Sequence, residues 1–328
     1  KTDEGKNFII LDVSFSLFNG KDQWRMSLIG SAQEKKAYTK EEITSLAHQA
    51  MGKPFDFEIL SILPWQRAEL VANEYRKGNV FICGDACHLT SPTGGLGMNT
   101  GIGDAVDLSW KLSACLQGWG GERLLESYFI ERQPIAKRIT QFSTGNLEIM
   151  KKLPTNSMIY DQTPQGEVVR SEVGMAMSEG LKREWFSLNM HLGNRYTNSP
   201  INIYDDIEDP QQQRLEFEDA VHYIPSTRIG ARAPHVWLNQ NLSTLDLTGI
   251  KFSLFCMTNG SDELSHFENF TKSIRIPLDL HFIKSEGALE LYTYKYVMVR
   301  PDGHVAWRGN SLPMDMIQFW STLSGQAK

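Results

Sequence analysis

Residues 78–112 read GNVFICGDACHLTSPTGGLGMNTGIGDAVDLSWKL, and this stretch decides the fold. Its opening is an apolar run that predicts a short buried strand ending in Gly84-Asp85. Open α/β sheets place ligands at the carboxyl ends of their strands. Gly84 lets a ligand lie close to the backbone, and the Asp85 carboxylate can accept hydrogen bonds from sugar-like hydroxyls. Five glycines follow between Gly94 and Gly103. From Asp104 onward the spacing predicts a helix, with Ala105, Leu108, Leu112 and Cys115 on one face. Glycine weakens a helix by ~1 kcal/mol relative to alanine. Yet this loop runs straight into one, which points to close approach of a flat or anionic group. Such a group would meet the free N–H groups at the helix start. Glycines alone fit a tight packing turn better; the whole string argues for a ligand.

Outward from this stretch, the chain divides by pattern. Residues 8–18 read as a strand, 19–22 as a turn and 24–30 as the returning strand. Thr39 and Glu42 form a capping box for a helix with the stripe Ile43, Leu46, Ala47 and Ala50, ended by Gly52 and Pro54. FEILSILP (57–64) reads as a further strand. A second long helix starts near Arg123, with Pro134 expected to break or kink it. Residues 145–215 are mostly helical, WFSLNMHL (185–192) reads as a buried helix face, and 198–213 as a surface linker. From Ser226 strands and helices alternate, with a hairpin turning at Pro301-Asp302-Gly303. The expected fold class is α/β and α+β. The expected divisions are 1–75, part of a sheet domain; 76–150; 151–225, helices and linker; and 226–328, a small α/β domain.

A formal net charge of -6 argues against nucleic acid as a partner. No apolar run reaches the ~20 residues of a membrane span. Cys83, Cys87, Cys115 and Cys256 form no CxxC pair, which favours a reducing, cytoplasmic setting. Cys83 is expected in a core strand. The Cys83/Cys87/His88 spacing is unlike structural zinc sites, and no metal is expected. His235 and His304 read as structural.

Taken whole, the string resembles the second flavin-binding motif of the class A FAD-dependent aromatic hydroxylases, the group of phenol 2-monooxygenase, dichlorophenol monooxygenase and p-hydroxybenzoate hydroxylase. The resemblance rests on Gly84-Asp85-Ala86, His88, Pro92, Gly95, Gly97, Asn99, Gly101, Asp104-Ala105, Leu108 and Trp110-Lys111-Leu112. Tyr128, Glu131, Arg132 and Pro134 extend it downstream, as do residues 183–196 and the segments GARAPHVWL and VMVRPDGHVAWRG. It implies FAD contacts at Gly84, Asp85, Pro92, Gly95, Gly97, Met98 and Asn99. Asp85 would hold the ribityl chain and Pro92 would lie beside the isoalloxazine. The amides of Gly97, Met98 and Asn99 would face its O2–N1 side. It also implies NAD(P)H as reductant, and a small aromatic substrate hydroxylated with O2 through a C4a-hydroperoxyflavin. The last domain would be thioredoxin-like. Cys256 stands alone in a strand there, so that domain is expected to pack or to form a dimer interface, leaving a homodimer open.

The family's GxGxxG motif is absent: Gly95-Leu96-Gly97 and Gly101-Ile102-Gly103 lack the last glycine. The chain opens at Lys1 and is expected to be the C-terminal portion of a longer hydroxylase, with partial FAD-binding and substrate-binding parts. No catalytic acid or base is named. The alternative is a non-catalytic remnant or interaction module that keeps the fold.

Overall fold

A computed structural model describes residues 13–17, 19–28, 38–64, 67–152, 154, 156–205 and 210–327. They fall into two compact units: residues 1–67 with 154–170, and residues 68–153 with 171–328.

In the first unit, β1 (Val13–Leu17) pairs antiparallel with β2 (Trp24–Leu28). The rest of both expected strands lies outside the described residues. Asn19 fixes the turn, its Oδ1 accepting the N–H groups of Lys21, Asp22 and Gln23 at 3.0, 3.1 and 2.9 Å. Helix α1 (Lys40–Met51) starts on the expected capping box. Glu42 N–H donates to Thr39 Oγ1 (3.2 Å), and Thr39 N–H donates to Glu42 Oε2 (2.9 Å). Gly52, at φ 72°, ends the helix in the left-handed conformation. FEILSILP forms no strand. Among the described residues nothing pairs with it, and Leu60 and Leu63 lie exposed. A strand is made by its ladder, not by its apolar residues.

The second unit opens with short ladders. β3 (Leu70–Val71) pairs with β6 (His88–Leu89), and β4 (Arg76–Lys77) with β5 (Val80–Phe81). The expected strand over residues 78–85 is therefore only two residues long. Cys83 is exposed rather than in the core. α2 (Gly97–Leu116) and α3 (Glu122–Lys151) follow. α3 runs through Pro134 without a break, contrary to expectation. Arg132 and Gln133 tie that part of the helix to its neighbours, through Asp104 and the Ala72 carbonyl.

α4 (Pro164–Trp185), α5 (Leu188–Leu192) and α6 (Pro210–Glu218) come next. WFSLNMHL is not one buried face. The helix stops between Trp185 and Leu188, so Trp185 (78% exposed) and Phe186 point out while Asn189 and Met190 are buried. The expected surface linker is buried at Ser199, Ile201 and Asn202.

The last hundred residues contain a hairpin of β7 (Trp237–Asn239) and β8 (Leu242–Ser243), then β9 (Phe252–Cys256), α7 (Asp262–Ser273), β10 (Leu278–Phe282), α8 (Glu286–Leu291), β11 (Tyr296–Val299), β12 (Val305–Gly309) and α9 (Met316–Leu323). The sheet order is β10-β9-β11-β12, with β10 parallel to β9 and β11 antiparallel to both its neighbours. That is the thioredoxin-like arrangement expected. β9 is buried along its whole length. One core joins its Phe252, Leu254 and Cys256 to Phe267, Met298 and Trp320, and continues into Trp110, Ala114, Trp119 and Leu124 of α2, α3 and the loop between them.

Candidate flavin site

The glycine loop feeds α2 at Gly97, seven positions before the start expected from the sequence. Leu96 occupies the N-cap and offers no side-chain cap. The first N–H groups of the helix, at Gly97, Met98 and Asn99, therefore gain no cap from a side chain there. Met98 (74% exposed) and Asn99 face outward, as do Asp85, Pro92 and Gly95, while Gly84 and Gly97 are half-buried.

The glycines separate by cause. Gly84, Gly94 and Gly95 hold φ values of 61°, 84° and 64°, a region that favours glycine. Gly101 and Gly103 are demanded by packing: a Cβ would lie 3.1 Å from the Gly84 Cα and 2.7 Å from Arg132 Nη2 respectively. Gly97 has neither reason, since a Cβ there would meet only Thr90, at 3.9 Å. The bare backbone at an uncapped helix start thus fits a ligand lying against it. The donor set suits the electron-rich edge of a flavin, and Asp85 suits a polyol.

Hydrogen bonds fix the loop from behind. Gly94 N–H donates to Glu184 Oε1 (2.8 Å), and Thr93 Oγ1 donates to the Ser143 carbonyl of α3 (2.5 Å). Asn99 Nδ2 donates to the Gly95 carbonyl at 3.0 Å.

Deeper still, α2 buries charged groups beside its apolar ones. Thr100, Asp104, Asp107 and Lys111 are buried together with Leu108, whereas Ala105 is exposed. Lys111 Nζ donates to Asp107 (2.7 Å) and Glu131 (2.5 Å). Arg300, from the end of β11, donates to Glu131 Oε1 (2.5 Å) and Oε2 (2.9 Å), to Asp107 (3.2 Å) and to Asp302 (2.5 Å). Its guanidinium stands over the Trp110 and Tyr196 rings at 5.3 and 5.0 Å. Asp107, Glu131 and Asp302 are close enough to hold a metal ion, but Lys111 and Arg300 already supply their positive partners.

Burial pushes the Asp107 carboxyl well above its ordinary range, more than Lys111 can offset. Burial works the same way on Glu131, yet Arg300 and Lys111 outweigh it and bring that carboxyl down to about 2. The Arg300 guanidinium likewise holds Asp302 low against its burial.

The sequence motif contains His88, Asp104, Lys111, Glu131 and Arg132, but nothing in it distinguished their roles. The usable signal was the polar stripe Thr100, Asp104, Asp107, Lys111 at helical spacing, which an apolar-face reading assigns to solvent.

Two protein families match segments of the chain. Residues 23–143 match the FAD binding domain family, and residues 226–324 the aromatic-ring hydroxylase C-terminal family. An FAD-dependent monooxygenase of Emericella nidulans is 32% identical over 280 residues, covering 80% of this chain and 43% of the relative. The 2,4-dichlorophenol 6-monooxygenase of Delftia acidovorans is 30% identical over 297 residues, covering 80% and 50%. The structure of the rebeccamycin biosynthetic enzyme RebC with reduced flavin superposes with a TM-score of 0.78 at 33% identity, covering 93% of this chain and 54% of that one. The chain thus spans about half the length of the relatives it matches. With its flavin motif, its two matched domains and its superposition on a flavin enzyme, the chain belongs to the FAD-dependent aromatic hydroxylases.

Proposed function

We propose that the chain forms the part of an FAD-dependent monooxygenase that carries the second flavin-contacting segment, acting on a phenolic or related aromatic ring with NAD(P)H and O2. The observation that carries this reading is Gly97: a glycine required by neither backbone nor packing, at the uncapped start of α2. Bound FAD would take electrons from the nicotinamide and activate O2. The chain's own residues bind and orient. The N–H groups of Gly97, Met98 and Asn99 would donate to the pyrimidine edge. The helix dipole would add ~0.3–1 kcal/mol for negative charge there. Asp85 would accept from ribityl hydroxyls. Pro92, which has no N–H, would offer a flat apolar wall near the reacting edge.

The test is FAD titration of the purified chain. A stoichiometric visible flavin band is expected, and Asp85→Ala should raise the dissociation constant roughly tenfold, the loss of a charged hydrogen bond. Unchanged affinity would remove Asp85 from the site. The missing GxGxxG favours a second reading, a non-catalytic interaction module, which predicts a colourless protein that takes up no flavin. The free state of Cys83, Cys87, Cys115 and Cys256 supports a reducing, cytoplasmic setting. Among the described residues no helix is long and apolar enough to cross a membrane. A homodimer remains part of the proposal, read by sedimentation.

A further inference from the structure

Behind the exposed face of the glycine loop stands Asp104, fully buried on α2. Its Oδ2 accepts the Gly84 backbone N–H at 3.2 Å and His88 Nε2–H at 2.7 Å. A carboxylate only accepts, so His88 carries a proton on Nε2. Oδ1 accepts Arg132 Nε–H at 2.8 Å. Arg132 spends its other nitrogens on the Thr100 carbonyl (3.1 Å) and the Tyr196 hydroxyl (3.3 Å). Asp104 is thus itself held in place, by a fork that also grips the first turn of α2. Burial would raise its pKa, but the bonds from His88 and Arg132 win and keep it below the ordinary range.

The group that Asp104 holds is the first residue of the Gly84–Ala86 turn. Gly84 sits at φ 61°, and the turn rests against Gly101, where a Cβ would come within 3.1 Å of the Gly84 Cα. The turn is therefore set from one side by a charge-assisted hydrogen bond and from the other by a glycine-on-glycine contact. Asp85 follows at once, and it is exposed.

We propose that Asp104 is a positioning residue: by anchoring the Gly84 N–H, it sets the turn that aims Asp85 at its ligand. This rests on the FAD reading for the identity of that ligand, and on the hydrogen bonds alone for the anchoring. Asp104 touches no solvent, so its action runs through the turn and not by contact with FAD.

Two measurements on the full chain test it. The first is amide hydrogen exchange in the absence of flavin. Asp104→Asn should speed exchange at residues 84–87 roughly tenfold or more. The β9 and β11 amides should keep their rates, which separates local release from global unfolding. Unchanged exchange at 84–87 overturns the anchoring. The second is a double-mutant cycle of Asp85→Ala and Asp104→Asn read by FAD titration. If Asp104 acts through Asp85, each single variant weakens binding and the double variant is little worse than Asp85→Ala. Losses that multiply in the double variant mean a merely structural role and sink the idea. Should Asp104→Asn not fold, His88→Gln, which keeps a neutral donor beside Asp104, takes its place. It should shift the same amides in the same direction by less, and no shift overturns the proposal. If the chain binds no FAD, or Asp85→Ala leaves affinity unchanged, the flavin reading fails while the exchange result still judges Asp104.

Discussion

Asp107 and Glu131 share the cations Lys111 and Arg300, yet their acidities move in opposite directions. With every group ionised, three carboxylates face two cations, and the excess is relieved at Asp107. The sign of each contribution follows. Glu131 is depressed to about 2, so its stabilisation is complete above the ordinary carboxylate range and is lost as pH falls through about 2. Asp107 is raised, so the fold prefers it protonated, and its contribution declines as pH rises from its ordinary value through its folded one. Asp107→Asn should therefore cost less than Glu131→Gln in urea melts. Glu131→Gln leaves Lys111 and Arg300 underpaired and should cost about 3–5 kcal/mol. A costlier Asp107→Asn would reverse the assignment of the proton. At this scale the sequence was only partly legible. Gly84, Asp85 and Gly97 could be put forward as candidates because glycine and carboxylate chemistry shows in one dimension. The partners of Glu131 could not, because Arg300 arrives from 169 positions away.

Helix α2 mixes its faces: its buried side carries Asp104, Asp107 and Lys111 beside Leu108, Trp110 and Ala114, and its open side carries Met98, Ile102 and Val106 at four-residue spacing. Substitutions should sort by that geometry. Leu108→Ala deletes buried atoms and should cost about 2–5 kcal/mol. Ile102→Glu should change stability by only about 0.5 kcal/mol or less and reduce the binding of hydrophobic dyes. Equal losses in chemical melts would show the outer face to be covered. The capping box of α1 was readable because it is written in adjacent residues. The start of α2 was not. Glycine propensity argues against helix at residues 97–103, and bonds such as the grip of Arg132 on Thr100 and Asp104 outweigh it. Pro134 misled for the same reason: tertiary bonds from Arg132 and Gln133 before it and from Arg138 after it hold the helix in place.

At the scale of the molecule, one of the apolar cores of the second unit packs Trp110 and Trp119 with Phe252 and Trp320 of the thioredoxin-like sheet region. The flavin-motif helices and the sheet should therefore melt together. Tryptophan fluorescence and near-ultraviolet dichroism should give coincident transitions for this unit, and a separate early loss of either signal would contradict a shared core. The alternation of strands and helices and the Pro301-Asp302-Gly303 turn were legible in the residues, and the thioredoxin-like order β10-β9-β11-β12 was implied by the family resemblance. The sheet's union with α2 and α3 was neither, because it depends on residues far apart in sequence. That union bears on how such enzymes can diversify. Arg300 and Asp302 on one side answer Asp107, Lys111 and Glu131 on the other. A C-terminal domain grafted from a relative should dock without leaving a buried charge unpaired only where all five residues are present, so the seam sets a condition on which exchanges between such proteins can fold.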